Sequence, residues 1–247
     1  MAPPAGRNRP PFRLLAISRF AAAPTAPAIP PITPPTSISL AAAKAWFGAL
    51  ARAGVDGVQL REKNLDDRTL LALARAARAA LTGPFLLAAA PGRPPVPARL
   101  LVNGRADIAL AAGAHGVHLP ADGLPAAALR ARWGPGLLLG VSTHSLAEVE
   151  QARRAGADYA VFGPVWETPG KTAATPPAGL DALARAARLG IPVYALGGVT
   201  LARFAAVAAA GAAGVAAIRL FQGEETPLEQ IVEAARAVFR EPRREAL

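Results

Sequence analysis

Short apolar runs alternate with Ala-rich amphipathic stretches along most of the chain. The runs at 13–18, 57–61, 100–103, 116–119, 137–142, 159–162, 192–196 and 214–219 are rich in Val, Leu, Ile and Ala and read as buried strands. The stretches at 40–53, 66–81, 106–112, 125–133, 146–155, 179–189, 201–210 and 227–239 carry helical periodicity. Ser145 before Leu146, with Glu148 three residues on, reads as a capping box, and Thr200 before Leu201 as a second helix start. Ala-Gly pairs at 53–54, 112–113, 155–156 and 210–211 each close a helix and lead into a strand, as a helix-terminating glycine does. Eight repeats of strand, helix and glycine stop predict an α/β fold, a (β/α)8 TIM barrel in one domain, in preference to an open doubly wound sheet.

Two segments break the cadence. Residues 21–37 are rich in Pro, Thr and Ala, and prolines at 91, 94, 95 and 97 crowd the entry to the third strand. Both read as loops. The predicted division is a Pro-rich leader over 1–12, the barrel over 13–240 and a basic tail over 241–247. The apolar run at 14–17 in the N-terminal stretch, cut short by Arg19, is too short for a secretory segment, which needs about 7 to 15 apolar residues.

Composition narrows the function classes. No apolar run approaches the ~20 residues of a membrane-spanning helix, so no membrane partner is expected. With no cysteine, disulfides, thiolate metal sites and a Cys nucleophile are excluded, and the cytoplasm is the expected location. A net charge of +10 raises the question of nucleic acid, but the basic residues are scattered Arg on helices and aromatic residues make up only 5%. No nucleic-acid partner is expected; a positive surface instead favours phosphorylated small molecules. The sequence is compatible with a homo-oligomer.

In such a barrel the chemistry sits at the C-terminal strand ends. Those positions turn polar here: Gln59, Arg61 and Lys63 after the second strand, Asn103 after the third, His118 in the fourth, and Ser142 and His144 after the fifth. Arg61 and Lys63 offer a fork and a point charge for an anion, although a solvated strand exit reads the same way. The Gly197-Gly198 pair before the helix at Leu201, with Ile218 and Arg219 after the last strand, occupies the recurrent barrel phosphate position; a tight turn is the plainer reading. Thr168 and Lys171 lie in a Gly- and Pro-containing loop that reads as a lid over an anion. Of three histidines, His115 reads as structural; His118 and His144 stand at strand exits, where an imidazole can exchange a proton at neutral pH.

Read in order, Gln59-Leu60-Arg61-Glu62-Lys63, Val102-Asn103-Gly104-Arg105-Ala106-Asp107, Gly116-Val117-His118-Leu119, Val141-Ser142-Thr143-His144-Ser145, Phe162-Gly163-Pro164-Val165, Thr168-Pro169-Gly170-Lys171 and Leu196-Gly197-Gly198 resemble the successive motifs of the thiamine phosphate synthase and TenI family. The resemblance covers roughly four fifths of the chain and implies a thiamine-biosynthesis enzyme that takes a small phosphorylated thiazole as its partner. The synthase branch carries Asn-Asp after the third strand and Gln-Glu-Asp after the fourth, carboxylates that hold Mg2+; this chain has Asn103-Gly104 and Ala121-Asp122-Gly123. The family's second loop Thr is Gly170 here. TenI-type proteins share the Asn-Gly-Arg and Leu-Pro variants.

The resemblance therefore favours a thiazole tautomerase without a cofactor or metal, His144 moving the proton, Gly197, Gly198, Ile218 and Arg219 holding phosphate, and Gln59, Arg61, Lys63, Asn103, Ser142, Thr168 and Lys171 contacting the rest of the substrate. The alternative is thiamine phosphate synthase, joining a pyrimidine pyrophosphate to the thiazole phosphate with Mg2+, Asp122 being its one remaining ligand there. A third reading is a non-catalytic sensor of a thiamine intermediate.

Overall fold

The computed structural model describes residues 10–20, 39–82, 97–167, 176–222 and 226–239. Among them eight parallel strands, β1 (Leu14–Ile17), β2 (Gly57–Leu60), β3 (Arg99–Asn103), β4 (Gly116–Leu119), β5 (Leu138–Thr143), β6 (Tyr159–Phe162), β7 (Val193–Leu196) and β8 (Gly214–Ala217), pair in chain order into a closed barrel. Closure is made by β8 against β1, with Leu15 opposite Ala216. The helices alternate with them: α1 (Leu40–Ala53), α2 (Asp67–Thr82), α3 (Ala106–Ala111), α4 (Ala126–Trp133), α5 (Leu146–Arg154), α6 (Gly179–Ala187), α7 (Phe204–Ala209) and α8 (Leu228–Val238). This is the predicted (β/α)8 barrel in one domain. No helix among the described residues is long and apolar enough to cross a membrane.

Strand alternation splits the apolar residues into two cores, because successive side chains leave a strand on opposite faces. On β1, Leu14 and Ala16 join the layer between sheet and helices, while Leu15 and Ile17 point inward. The inner core holds Leu101, Leu138, Tyr159, Val161, Tyr194 and Ala216 as well. Phe12 belongs to it too, although the sequence reading ends the leader there. Its ring lies 5.0 Å from Tyr159 and 4.7 Å from Tyr194, and the Tyr194 hydroxyl donates to the Phe12 carbonyl at 2.6 Å. Three rings thus plug the lower end of the barrel.

The Ala-Gly stops behave as predicted: Gly54, Gly113, Gly156 and Gly211 all have positive φ, which glycine adopts without steric conflict. Ser145 caps α5, its Oγ accepting from the Glu148 N–H at 3.2 Å. Thr200 does not behave as predicted. Its side chain makes no cap bond, and the expected single helix over 201–210 opens as a 3-10 turn, Leu201–Arg203, before α7 begins. The Arg203 guanidinium donates to the Gly198 carbonyl, which draws this first turn toward the preceding loop.

Beneath the barrel, Arg130 ties α4 to the starts of β5 and β6. It donates to the carbonyls of Gly156 at 2.9 Å, Gly134 at 2.5 Å and Leu137 at 3.0 Å, and to Asp158 Oδ2 at 2.6 Å, which also accepts from Leu139 N at 2.8 Å. Both partners are only 14% exposed, so removing the cation strands a carboxylate and three carbonyls. Arg130→Met is expected to lower unfolding stability by about 2–3 kcal/mol in urea titration, and Arg130→Lys to restore only part of it, lacking the planar fork. Equal stability of the three proteins would show that this clamp contributes nothing.

Candidate active site at the upper rim of the barrel

The inward-facing positions at the upper strand ends form a ring that is polar on one arc and apolar on the other. Register places Ile17 beside Gln59, Gln59 beside Leu101, and Asn103 beside His118, and His118 beside Gly140, two residues before Ser142. The β2–β5 arc thus presents Gln59, Asn103, His118 and Ser142; across the barrel, β6 and β1 present Val161 and Ile17 from the inner core, with Leu196 from β7 and Ile218, just past β8, packed against it. A cleft of about 340 Å³ opens on the polar arc between the ends of β2 and β3, lined by Leu60, Glu62, Lys63, Leu65, Asn103 and Arg105.

Gln59 is 1% exposed and its Nε2 has no hydrogen-bond partner among the described residues, an unspent donor within the barrel. Arg61 is half-buried, and burial together with the nearby Arg19 cation pushes its pKa down, Glu62 opposing. A half-buried cation with a second, exposed one nearby is an arrangement that an anion relieves. The sequence alternation suggests that Gln59, Arg61 and Lys63 share a face, but β2 stops at Leu60, so Lys63 reaches the cleft from the loop and is exposed. Glu62 was not anticipated. It is buried, accepts from Ser18 Oγ at 2.6 Å and from Phe20 N at 3.0 Å, and Ser18 Oγ in turn accepts from Arg61 N at 2.9 Å. This knot fixes the chain direction that aims Arg61. Its sequence signal was faint: an acid between two bases in a strand exit.

His144 stands just past β5 and is exposed at the rim. Its backbone N–H donates to Glu148 Oε2 at 2.7 Å, and its Nδ1 lies 2.5 Å from the Gly163 carbonyl. A carbonyl only accepts, so Nδ1 carries the hydrogen, and in the neutral ring the Nε2 lone pair is left as a base. His118 differs. It is 2% exposed, with Nε2 2.9 Å from Ser142 Oγ and Nδ1 3.0 Å from the Tyr159 hydroxyl. Burial, then the Arg61 cation, pushes its pKa down to about 3, so it stays neutral at ordinary pH.

The glycine pair lies on the far side of the mouth. Gly197 and Gly198 turn after β7 with φ of +92° and +63°. A Cβ on Gly198 would stand 2.6 Å from Trp166 Cβ and 2.7 Å from the Glu167 carbonyl. Trp166 N donates to Gly197 O at 3.2 Å, and the Arg203 guanidinium lies 4.7 Å over the Trp166 ring, a cation–π brace not foreseen in the sequence. Ile218 leaves strand geometry rather than extending β8, and Arg219 opens the 3-10 turn Arg219–Phe221. The structure therefore sets the four phosphate candidates together on the β7–β8 arc, apart from the polar arc. Thr168 and Lys171 lie outside the described residues, as do residues 91–96 and 241–247.

At the β3 and β4 exits stand Gly104, whose N–H donates to the His118 carbonyl at 2.8 Å, and the exposed Asp122. No group of three or more His, Cys, Asp or Glu residues that could hold a metal occurs among the described residues. Magnesium is ordinarily held by one or two carboxylates together with substrate phosphate oxygens. A single exposed carboxylate does not fit the two-sided cradle that the resemblance implies for the synthase.

A closed parallel barrel with a cationic, hydrogen-bonding mouth and a glycine turn after β7 defines the class: a (β/α)8 barrel with its polar groups at the C-terminal strand ends. The family follows from comparison. The model for "Thiamine monophosphate synthase" matches residues 29–221. A putative thiamine-phosphate synthase of Geobacter sulfurreducens is 50% identical over 74% of this chain and 80% of its own length. A thiamine-phosphate synthase of Anaeromyxobacter dehalogenans is 41% identical over 80% of this chain and 85% of its own. A thiamine phosphate pyrophosphorylase from Pyrococcus furiosus shares the fold with a TM-score of 0.70 at 24% identity, over 94% of this chain and 98% of that one. The chain belongs to the thiamine monophosphate synthase family and is an enzyme of thiamine biosynthesis.

Proposed function

We propose that the chain is a thiamine-phosphate synthase, joining hydroxymethylpyrimidine pyrophosphate to thiazole phosphate. The names of its relatives support this over the tautomerase that the sequence reading put first. The observation that carries it is the polar arc, where the unspent amide of buried Gln59 is followed at the end of β2 by half-buried Arg61, with exposed Lys63 lining the adjoining cleft. In the reaction the thiazole nitrogen's lone pair forms a bond to the pyrimidine methylene carbon as the carbon–oxygen bond to diphosphate breaks, and diphosphate leaves with the electron pair. Arg61 and Lys63 would stabilise the charge gathering on the leaving group, and Gln59 Nε2 would donate to an acceptor on the pyrimidine ring. Gly197 and Gly198, with the turn at Ile218 and Arg219, would hold the phosphate of the thiazole across the mouth. The family implies magnesium, and the carboxylates present among the described residues do not fit its usual site.

One observation favours the second reading. His144 has its tautomer set by Gly163, which leaves Nε2 as the basic nitrogen of the neutral ring at the rim, as a proton-moving tautomerase requires. Incubating the purified chain with both substrates, with Mg2+ or with EDTA, and following thiamine phosphate by chromatography tests the first reading. Product formation is expected, with His144→Gln lowering it less than tenfold. If no thiamine phosphate forms while a thiazole carboxylate tautomer is aromatised, and H144Q slows that by about 100-fold, the tautomerase is established instead. Tight substrate binding with neither turnover would favour the sensor.

A further inference from the structure

Three polar side chains of the inner ring are joined in series. Ser142 Oγ lies 2.9 Å from His118 Nε2, and His118 Nδ1 lies 3.0 Å from the hydroxyl of Tyr159, which is fully buried. Both ring nitrogens are engaged, so a neutral imidazole has one hydrogen to assign. Among the described residues the Tyr159 hydroxyl has His118 as its hydrogen-bond partner, and its ring otherwise meets Phe12 and Tyr194. If Nδ1 carried the hydrogen it would donate to the phenol oxygen, and the phenol O–H would point into the apolar interior with no acceptor. If the phenol donates to Nδ1, every hydrogen is used: Nε2–H donates to Ser142 Oγ, and the Ser142 O–H turns toward the mouth. Ser142 is half-buried there, beside the polar arc. Gly140, two residues earlier on the same inward face, leaves the room the Tyr159 ring occupies.

We infer that Tyr159, acting through His118, is a positioning residue that sets the Ser142 hydroxyl as a hydrogen-bond donor to an oxygen of a phosphate or diphosphate group in the barrel mouth. The direction of the chain follows from the hydrogen accounting; the anion as Ser142's acceptor rests on the synthase reading above.

The ligand-free, full-length, 15N-labelled protein tests the direction without any substrate. A long-range 1H–15N correlation reads which ring nitrogen of each histidine is protonated, with signals assigned by His118→Gln and His144→Gln. His118 is expected as the Nε2–H form, with His144, donating from Nδ1, as the opposite form in the same spectrum. An Nδ1–H form of His118 overturns the inference. In Tyr159→Phe, which removes one oxygen and keeps the ring, the Nδ1 resonance is expected to move as its donor is lost; an unchanged resonance overturns it as well.

The acceptor is tested with inorganic pyrophosphate by titration calorimetry. Ser142→Ala and Tyr159→Phe are each expected to weaken binding about fivefold, and the double variant by about fivefold rather than twenty-fivefold, because the two act through one hydroxyl. Full additivity, or undiminished affinity in Y159F, would sink the relay. Product formation is assayed separately, so absence of thiamine phosphate alongside the expected spectra and affinities would count against the synthase reading and not against the relay.

Discussion

Gly140→Ala is expected to cost the barrel at least ~4 kcal/mol, enough to leave most of the expressed chain unfolded or insoluble. A Cβ built at Gly140 would stand 2.0 Å from Tyr159 Cζ and 2.2 Å from its hydroxyl oxygen. Overpacking is cheap where the obstructing group is the free end of a flexible side chain. Here it is a ring in the closed interior of the sheet, with Phe12 at 5.0 Å, Tyr194 at 5.5 Å and the phenol oxygen held by His118. Neither β5 nor β6 can retreat without breaking the register of Gly140 with Tyr159 and with His118. Soluble expression and a urea titration check this. Gly140→Ala should cost little further stability in a Tyr159→Ala background, since the clash goes with the ring, whereas in a Tyr159→Phe background its cost should remain. A stable single G140A variant would mean that the inner core is looser than the ring contacts imply.

Acid is expected to destabilise this protein through a buried histidine before its carboxylates are titrated. His118 has an ordinary pKa of 6.5 in the unfolded chain and about 3 in the folded one, lowered first by burial and then by Arg61. Above pH 6.5 the ring is neutral in both states and contributes no pH dependence. Below it the unfolded chain takes up a proton that the folded chain refuses, so stability falls with pH until the folded ring also titrates near pH 3. The slope is ~1.4 kcal/mol per pH unit, or roughly 4–5 kcal/mol across the whole interval. His115, pushed down to about 4 by burial and then by Arg78 and Arg99, acts in the same direction with a smaller effect because it is partly exposed. Urea midpoints measured between pH 7.5 and 4.5 should fall steeply in the natural chain and more gently in H118Q, by about one proton in the slope. Parallel slopes would show that His118 is not held neutral.

How much of this was legible beforehand varies with the range of the interactions involved. The eight strands, the glycine stops and the Ser145 cap are local matters, set by residue type and by spacings of two to four residues, and the chain states them openly. Polar strand ends pointed to the mouth of the barrel, and the ordered motifs to the thiamine monophosphate synthase family. The tautomerase was put first on Gly104, Gly123, Gly170 and the Leu119-Pro120 step, single positions set against relatives named as synthases that match across most of the chain.

What the tertiary structure alone decided lies in pairs far apart in sequence. Phe12 bonds Tyr194 across 182 residues, His118 meets Tyr159 across 41, and Ser18 meets Glu62 across 44. None of these follows from periodicity, because each depends on which inward positions of different strands fall at the same height when the sheet closes. That height comes from the relative stagger of the strands, a property of the whole barrel. The same closure takes His118 and Tyr159 out of water, and only there does an unpaired hydroxyl become costly enough to dictate which nitrogen of a histidine carries its hydrogen.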